Sequence, residues 1–302
     1  MGTRPKRQRF LVFISIVLLA VLAQASAAAE SAVEAWRSPF GYPRSVSVNP
    51  ADHSCWVAAG SSVLHLAADC TVVSQTNGFA NPRSVSVNSA DGTCWVADTD
   101  HGEVVRLDHN GNELWRGVIE GDYGSPAHPV SLSVNSTDGS RWIASRDSYE
   151  VVHLAEDGSV LWHGGFYVPS SVSVDSTDGS CWVADIYSNQ IVRIPATGDV
   201  LGRFGGFYNP SSVSVNPTDG SCWVADTGHD QIVHLAPDGT ELWRGYGFSD
   251  PHFVAVNPID GSCWVSDGAS NYRVVHLSED GSARQYVGGF GYSRCPETHR
   301  RG

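Results

Sequence analysis

A tryptophan that returns six times at a nearly constant interval constrains the fold of this chain more than any other feature. Successive copies lie 39, 47, 40, 41 and 41 residues apart, each in a short C/R-W-V/I-A/S segment, and a proline that opens each unit repeats with the same spacings. Self-similarity with a period of about 20 to 50 residues is typical of solenoids and propellers. The chain is therefore predicted to be six copies of one unit. The tryptophans are Trp56, Trp95, Trp142, Trp182, Trp223 and Trp264, and the prolines are Pro43, Pro82, Pro129, Pro169, Pro210 and Pro251.

The unit from residue 210 to residue 245 shows most clearly how one copy folds. Its β-prone runs Ser212–Val215 and Cys222–Ala225 are joined by a turn that ends in Asp-Gly, a strong hairpin signal. Gln231–Leu235 and Glu241–Arg244 follow, separated by a second Asp-Gly turn. We call these predicted strands a, b, c and d. Since no stretch shows sustained helical periodicity, the predicted fold is an all-β, six-bladed β-propeller of four-stranded antiparallel blades.

The repeated pattern resembles the NHL-repeat family over about residues 40 to 289. The matching elements are P-x-x-V-x-V-N, D-G-x-x-W-V-A-D, an I/V-V-H/R-L strand and a D-G turn. The resemblance implies a propeller. It implies no single function, because this family and propellers in general include sensors, scaffolds, nucleic-acid binders and lyases.

The first 29 residues differ from the repeats and are predicted to be a signal peptide. A basic stretch with Arg4, Lys6, Arg7 and Arg9 precedes the apolar segment 10–23, and small residues follow it. A membrane anchor is the alternative, but this apolar segment is shorter than the roughly 20 residues that span a bilayer. Residues 30–302 are predicted to be one propeller domain with short terminal extensions, secreted or periplasmic and with no membrane span.

The charge of that mature chain excludes one class of partner. Loss of residues 1–29 leaves 15 Lys+Arg against 32 Asp+Glu, a formal net charge of −17. Nucleic-acid affinity comes largely from basic side chains that displace counterions. Nucleic acid is therefore not expected as a partner.

The segments that flank the repeats leave ring closure open. Val33–Arg37 resembles a strand d and is predicted to lie as a clasp beside blade six. The alternative is a chain that stops within a seventh unit, which Phe290–Cys295 would begin.

Five of the seven cysteines directly precede a blade tryptophan and are predicted to be buried, free thiols. Equivalent positions on neighbouring blades are roughly 10 Å apart, too far for a disulfide. Cys70 and Cys295 are the two that could still pair. The five blade cysteines are Cys55, Cys94, Cys181, Cys222 and Cys263.

Two other repeated polar positions have competing interpretations. A His or Arg in every strand c, such as His65 and Arg193, is predicted to be structural, because strand c lies far from the axis and its copies cannot converge on one ion. Aspartates that end strand b are predicted to bond the backbone of the b–c turn. The alternative is a carboxylate ring that attracts calcium. These aspartates are Asp98, Asp185, Asp226 and Asp267.

The positions after the strand a prolines test one enzymatic resemblance. In the NHL-like peptidyl-hydroxyglycine lyases, histidines there hold an axial zinc. Here the six positions contain a single histidine, so no zinc site and no cofactor is predicted, apart from the possible calcium. The six residues are Arg44, Arg83, Val130, Ser170, Ser211 and His252.

The loops point to recognition on one face. The a–b and c–d turns are short and nearly identical, whereas the b–c and d–a loops vary and carry aromatic and basic residues. We predict that this face binds a protein, peptide or glycan. A lyase- or hydrolase-type enzyme with an axial pocket of His252, Phe253 and the arginines is the alternative. The predicted binding residues are Arg44, Arg83, His252, Tyr149, Tyr167, Tyr187 and Tyr208.

Overall fold

The computed structural model has the predicted all-β architecture: six four-stranded antiparallel sheets arranged in a ring as a six-bladed β-propeller. The structure describes residues 43–119, 127–268, 271, 273–282 and 284–287. The predicted signal peptide, the clasp at Val33–Arg37 and the segment Phe290–Cys295 lie outside the described residues. Within the described ranges, no helix has the length and apolar character that crossing a membrane requires.

Each blade runs a, b, c, d in chain order. Blade one contains β1 (Pro43–Val48), β2 (Cys55–Ala59), β3 (Ser62–Leu66) and β4 (Val72–Asn77). Blade two contains β5 (Pro82–Val87), β6 (Cys94–Asp98), β7 (Glu103–Leu107) and β8 (Glu113–Val118). Blade three contains β9 (Pro129–Val134), β10 (Arg141–Ser145), β11 (Glu150–Leu154) and β12 (Val160–Gly165).

The second half of the ring repeats this order. Blade four contains β13 (Pro169–Val174), β14 (Cys181–Asp185), β15 (Gln190–Ile194) and β16 (Gly202–Phe204). Blade five contains β17 (Pro210–Val215), β18 (Cys222–Asp226), β19 (Gln231–Leu235) and β20 (Glu241–Gly245). Blade six contains β21 (Pro251–Val256), β22 (Cys263–Asp267), β23 (Arg273–Leu277) and β24 (Arg284–Val287). Short 3₁₀ turns at Thr99–His101 and Thr227–His229 follow strand b in blades two and five.

The core lies between blades rather than within them. In the first interface, Trp56 and Ala58 of blade one pack against Phe79, Val85 and Val96 of blade two. The next four interfaces repeat this packing. Because both faces of strand b are covered by neighbouring sheets, strand b is apolar on both faces, and all five of its residues are buried in every blade.

Serines on strand a join neighbouring blades around the axis. The Oγ of Ser84 accepts the backbone N–H of Leu132 at 3.1 Å, and the Oγ of Ser86 accepts that of Val134 at 3.2 Å. Two such bonds link each of the first five blades to the next one. Blade six has Phe253 and Ala255 at the two serine positions, so it cannot offer these acceptors to blade one.

The junction between blades six and one differs in its apolar packing as well. The blade-one residues that would face blade six, including Cys55, Val57 and Leu64, form a separate cluster among the described residues. His276 on strand c of blade six is half-buried, whereas His65, His153 and His234 are buried. This junction is therefore the least tightly joined of the six in the described part of the chain.

The strand c histidines and arginines have the structural role that the sequence predicts. The His65 ring stacks on Trp56 with 4.3 Å between centroids, and its Nδ1 lies 2.7 Å from the carbonyl oxygen of His109 in the next blade. The Nη1 of Arg193 donates to the carbonyl of Pro237 in the next blade at 2.6 Å. Each side chain thus ties its own tryptophan to the c–d turn of its neighbour.

The five blade cysteines are buried, as predicted, with no more than 3% of any of them exposed. Each occurs as a free thiol, as does Cys70. Cys295 lies outside the described residues, so its proposed pairing with Cys70 stays a prediction.

Candidate functional site

A β-bulge at the start of every strand a places one side chain at the axis. In blade one, Pro43 pairs with Ala59 and Ser45 with Ala58, which leaves Arg44 without a partner in the ladder. The same register shift omits Arg83 in blade two and His252 in blade six. Blades three, four and five share it. Bulges re-aim side chains next to functional sites, and here they direct one residue per blade to the axial opening.

These six residues surround one axial cavity of about 390 Å³. Its rim consists of the bulge residues and Arg146, which follows strand b of blade three. Valine and leucine side chains of the a strands, together with Phe253, form much of the wall. The predicted residues Arg44, Arg83 and His252 are therefore brought together. The complete set of bulge residues is Arg44, Arg83, Val130, Ser170, Ser211 and His252.

The rim has a concentration of positive charge. Burial lowers the pKa of Arg44, the nearby charge of Arg83 lowers it further, and Asp100 opposes both effects. The Nε atom of Arg83 is buried and has no hydrogen-bond partner in the described part of the chain. Arg146 is exposed. Two like charges within interaction distance favour an anion between them.

His252 adds an ionisable group to this rim. Its Nε2 lies 3.2 Å from a carboxylate oxygen of Asp250, and 28% of the imidazole side chain is exposed. Its ring centroid lies 6.5 Å from that of Phe253. An imidazole beside a carboxylate can bind an anion when it is protonated, or accept a proton when it is neutral.

Three tyrosines form an exposed arc outside the cavity. The ring centroids of Tyr149 and Tyr167 are 6.4 Å apart, and those of Tyr167 and Tyr187 are 5.9 Å apart. All three are more than half exposed, with Tyr167 at 62%. We call these residues the tyrosine arc. Tyr208 contacts His229 instead, at 5.7 Å, and is 50% exposed.

The strand b aspartates hold the d–a loops in place. Asp98 accepts the backbone N–H groups of Ala80 and Asn81, and Asp185 accepts those of Tyr167 and Val168. Asp226 and Asp267 make equivalent bonds. The backbone partners thus lie in the d–a loop rather than in the b–c turn that the sequence predicted. All four aspartates are almost fully buried.

These aspartates do not form a common metal site among the described residues. Among the described residues, Asp98, His101 and Glu103 form the one group of three side chains whose possible metal-binding atoms all lie within 4.8 Å of one another. Its oxygens already have partners, because Asp98 accepts two backbone N–H groups and bonds His101, and Glu103 pairs with Arg116. Calcium binding by the four aspartates was the alternative to a structural role, and no observation on the described residues supports it.

Arg146 was not among the predicted binding residues, and the contacts within the tyrosine arc were not predicted either. Arg146 and Tyr149 lie in the same b–c loop, and Tyr149 has a left-handed backbone with φ of 59°. The signal for Arg146 was present, because it follows strand b of the one blade that has Ser145 in place of the terminal aspartate. The contacts between tyrosines depend on how blades three and four are placed.

Comparison with known proteins identifies the fold. No family model matches the chain. No curated protein matches it either. Among solved structures, selenomethionine-substituted virginiamycin B lyase from Staphylococcus aureus is 15% identical with a TM-score of 0.68, over 83% of this chain and 85% of that one. A streptogramin B lyase structure gives 15% and 0.68, over 84% and 85%. A catalytically inactive histidine-to-alanine variant of the Staphylococcus aureus enzyme, with quinupristin, gives 16% and 0.67, over 83% and 85%. At these identities the similarity establishes the fold alone: the chain is a β-propeller similar to these lyases.

Proposed function

We propose that this chain is an NHL-type propeller that is exported and acts as a binding protein. Its ligand, a protein, peptide or glycan, would lie on the b–c/d–a face, across the cavity rim and the tyrosine arc. The observation that carries the proposal is that Arg44, Arg83 and Arg146 line one axial cavity, while three exposed tyrosines contact one another in series in the loops of the same face.

The residue types at this face support recognition. Tyrosine and arginine are enriched among residues that contribute most to binding, because they cover a large area and keep polar groups for hydrogen bonds. A structural role would place the tyrosine rings under neighbouring loops. Instead, each of the three tyrosines in the tyrosine arc is more than half exposed to solvent.

A defined array of peptides and glycans, probed with the labelled protein, tests this proposal. Ligands found there should lose affinity about 30-fold or more when Tyr167 and Tyr187 are changed to alanine, since interface hot spots contribute about 2 kcal/mol or more. Ile259→Ala is the control, because this residue is 70% exposed on an a–b turn of the opposite face. Binding that depends on Ile259 and is indifferent to the tyrosines would reject the proposal.

Export is tested separately by the intact mass of the protein from the extracytoplasmic fraction. A mature chain that starts at Ala28 or Glu30 is expected, from the order of basic, apolar and small residues at the N-terminus. An unprocessed chain in the membrane fraction would contradict it.

A lyase- or hydrolase-type enzyme is the second candidate, and the pairing of His252 with Asp250 at the cavity favours it. A carboxylate that orients an imidazole is a common arrangement for a general base. Quinupristin, which is bound in one of the similar lyase structures, is a suitable first substrate. Product formation by mass spectrometry that disappears in His252→Ala would favour the enzyme. An unchanged substrate would favour the binding protein.

A further inference from the structure

We infer that the axial rim binds the C-terminal carboxylate of a peptide, with the last side chain in the cavity and the preceding residues over the tyrosine arc. This inference rests on the proposed binding function and specifies the chemical class of its ligand.

The first support is the unusual state of two rim arginines. Within the described ranges, Arg83 and Arg146 make no ion pair, hydrogen bond or ring contact. Other described arginines have such partners, for example Arg116 with Glu113 and Arg193 with Asp178. The further examples are Arg106, Arg141, Arg203, Arg244, Arg273 and Arg284.

A guanidinium without a protein partner is available to a ligand anion. The planar donors of arginine match a carboxylate in a bidentate geometry, and such bonds are stronger than those between neutral groups. The Nε of Arg83 is already withdrawn from water, so an acceptor from a ligand would satisfy a donor that has no partner among the described residues. Among the described residues, acidic groups near this rim include Asp100 close to Arg44, Asp250 beside His252, and Asp147, which pairs with His128.

The overall charge limits how many anionic groups the ligand carries. Residues 30–302 have a formal net charge of −17, which repels a polyanion at long range. A ligand with one carboxylate gains the local attraction of the rim without that opposition. A peptide C-terminus meets this condition, whereas a polymer of uronic acids does not.

The cavity wall also favours a peptide over a sugar. Below the rim, the cavity is lined by Val46, Leu132 and Val172 of the a strands and by Phe253, so its wall is largely apolar. The Oγ atoms of the wall serines are held in place because they accept backbone N–H groups of the next strand a. A volume of about 390 Å³ is within the range of small-ligand pockets and suits one apolar side chain with its carboxylate.

The position of the tyrosine arc gives the remaining residues of the peptide a surface. Arg146 at the rim and Tyr149 in the arc belong to one b–c loop. From there the ring contacts continue to Tyr167 and Tyr187. A peptide whose C-terminus lies at the rim therefore passes directly onto exposed aromatic rings.

The test compares peptides that differ only at the C-terminus. An array of random hexapeptides attached through the N-terminus is synthesised twice, once with a free carboxylate and once as the amide, and probed with the full mature chain. Linear oligogalacturonate forms the second arm. Free-acid peptides with an apolar last residue are expected to bind about tenfold more tightly than their amides.

Variants separate this inference from the proposed function. Arg83→Met and Arg146→Met should bring the acid-to-amide ratio close to one, and Tyr167→Ala should weaken acid and amide alike. Arg203→Met, on strand d of blade four outside the cavity lining, should leave both unchanged. The unmodified protein already decides the main point, so a variant that fails to fold does not remove the test.

Three outcomes of this experiment would overturn the inference. Equal binding of acid and amide, still sensitive to Tyr167, would refute carboxylate recognition and leave the binding function intact. Preference for oligogalacturonate would replace the peptide by an acidic glycan. The absence of binding by any peptide or glycan would reject the inference and the proposed function together.

Discussion

The guanidinium of Arg141 lies 3.7 Å from the ring centroid of Trp95, in the interface between blades two and three. Arg141 occupies the position that a cysteine holds in the other five blades and is fully buried. Its Nη1 donates to the carbonyl of Ala155 at 2.8 Å, but its Nε and Nη2 have no hydrogen-bond partner within the described ranges. Burial and the charge of Arg106 lower its pKa to about 10.

Replacement of Arg141 by methionine is therefore expected to stabilise the fold. Methionine can keep the contact with Trp95 and removes a desolvated charge with two unsatisfied donors. Because apolar replacement of buried charged pairs is often neutral or stabilising by about 1 to 4 kcal/mol, we expect a gain at the lower end of that range. Urea unfolding measures the difference. As a control, Arg193→Met should destabilise, because Arg193 pairs with Asp178 and bonds Pro237. A loss of stability in Arg141→Met would mean that the cation–π contact outweighs desolvation.

The serine bonds between a strands should contribute measurably to stability. In Ser84→Ala the N–H of Leu132 loses its acceptor inside the structure, which is expected to lower the free energy of unfolding by about 1 to 3 kcal/mol. Ser159→Ala, whose hydroxyl bonds Asp157 at an exposed turn, should stay within about 0.5 kcal/mol. Equal effects of the two substitutions would show that the bonds around the axis are dispensable.

Stability should fall as the solution becomes acidic. Burial lowers the folded-state pKa of His153, His234 and His276. Their contribution is fully present above the unfolded value of about 6.5 and is lost as the pH falls towards the lowered folded-state pKa. The midpoint of thermal unfolding should thus drop between pH 7.5 and pH 5.5.

His153 allows a direct check of this cause. Its ring stacks on Trp142 at 4.1 Å, and burial lowers its pKa more than the backbone of Ala196 in the next blade and the charge of Asp138 raise it. His153→Phe keeps the stacking and removes the titration, so it should flatten the pH dependence, whereas His109→Gln at an exposed turn should not. An unchanged pH profile in His153→Phe would assign acid sensitivity to other groups.

The blade cysteines should be unreactive in the native protein. Burial raises the pKa of Cys55 to about 12, and burial also raises the pKa of Cys94, Cys181, Cys222 and Cys263. Because the thiolate is the reactive form, a thiol reagent should label these residues slowly. Denaturation without reductant should then release at least five thiols. Fewer would mean that a blade cysteine is paired.

The fold could be predicted from the sequence because the repeat spacing, the β-prone runs and the Asp-Gly turns all indicate the same four-stranded blade. The strand boundaries predicted from one unit differ from β17 to β20 by no more than two residues. The axial position of Arg44, Arg83 and His252 was implied by the resemblance to the NHL-like peptidyl-hydroxyglycine lyases, and the register shift at each bulge gives its physical reason.

The features that the sequence did not predict are hydrogen bonds between a side chain and a distant part of the chain. Phe253 and Ala255 stand where the other blades have strand a serines, and this difference is visible in the sequence. Its consequence is clear only from the structure, in which those serines accept backbone N–H groups of the next blade. Likewise, Asp98 reaches backward to the d–a loop, across about 18 residues of sequence, rather than to the turn beside it. Such contacts follow from the placement of strands a and b and not from local propensity.

Hydrogen–deuterium exchange on the bound and free protein, with a ligand selected from the peptide and glycan array, tests the location of the binding face most directly. The account predicts protection in the loops that contain Arg146 and Tyr149, Tyr167, Tyr187 and Tyr208, and none in the a–b and c–d turns. Protection confined to those turns, around Gly139, Gly220 and Gly239 for example, would contradict it and assign recognition to the uniform face.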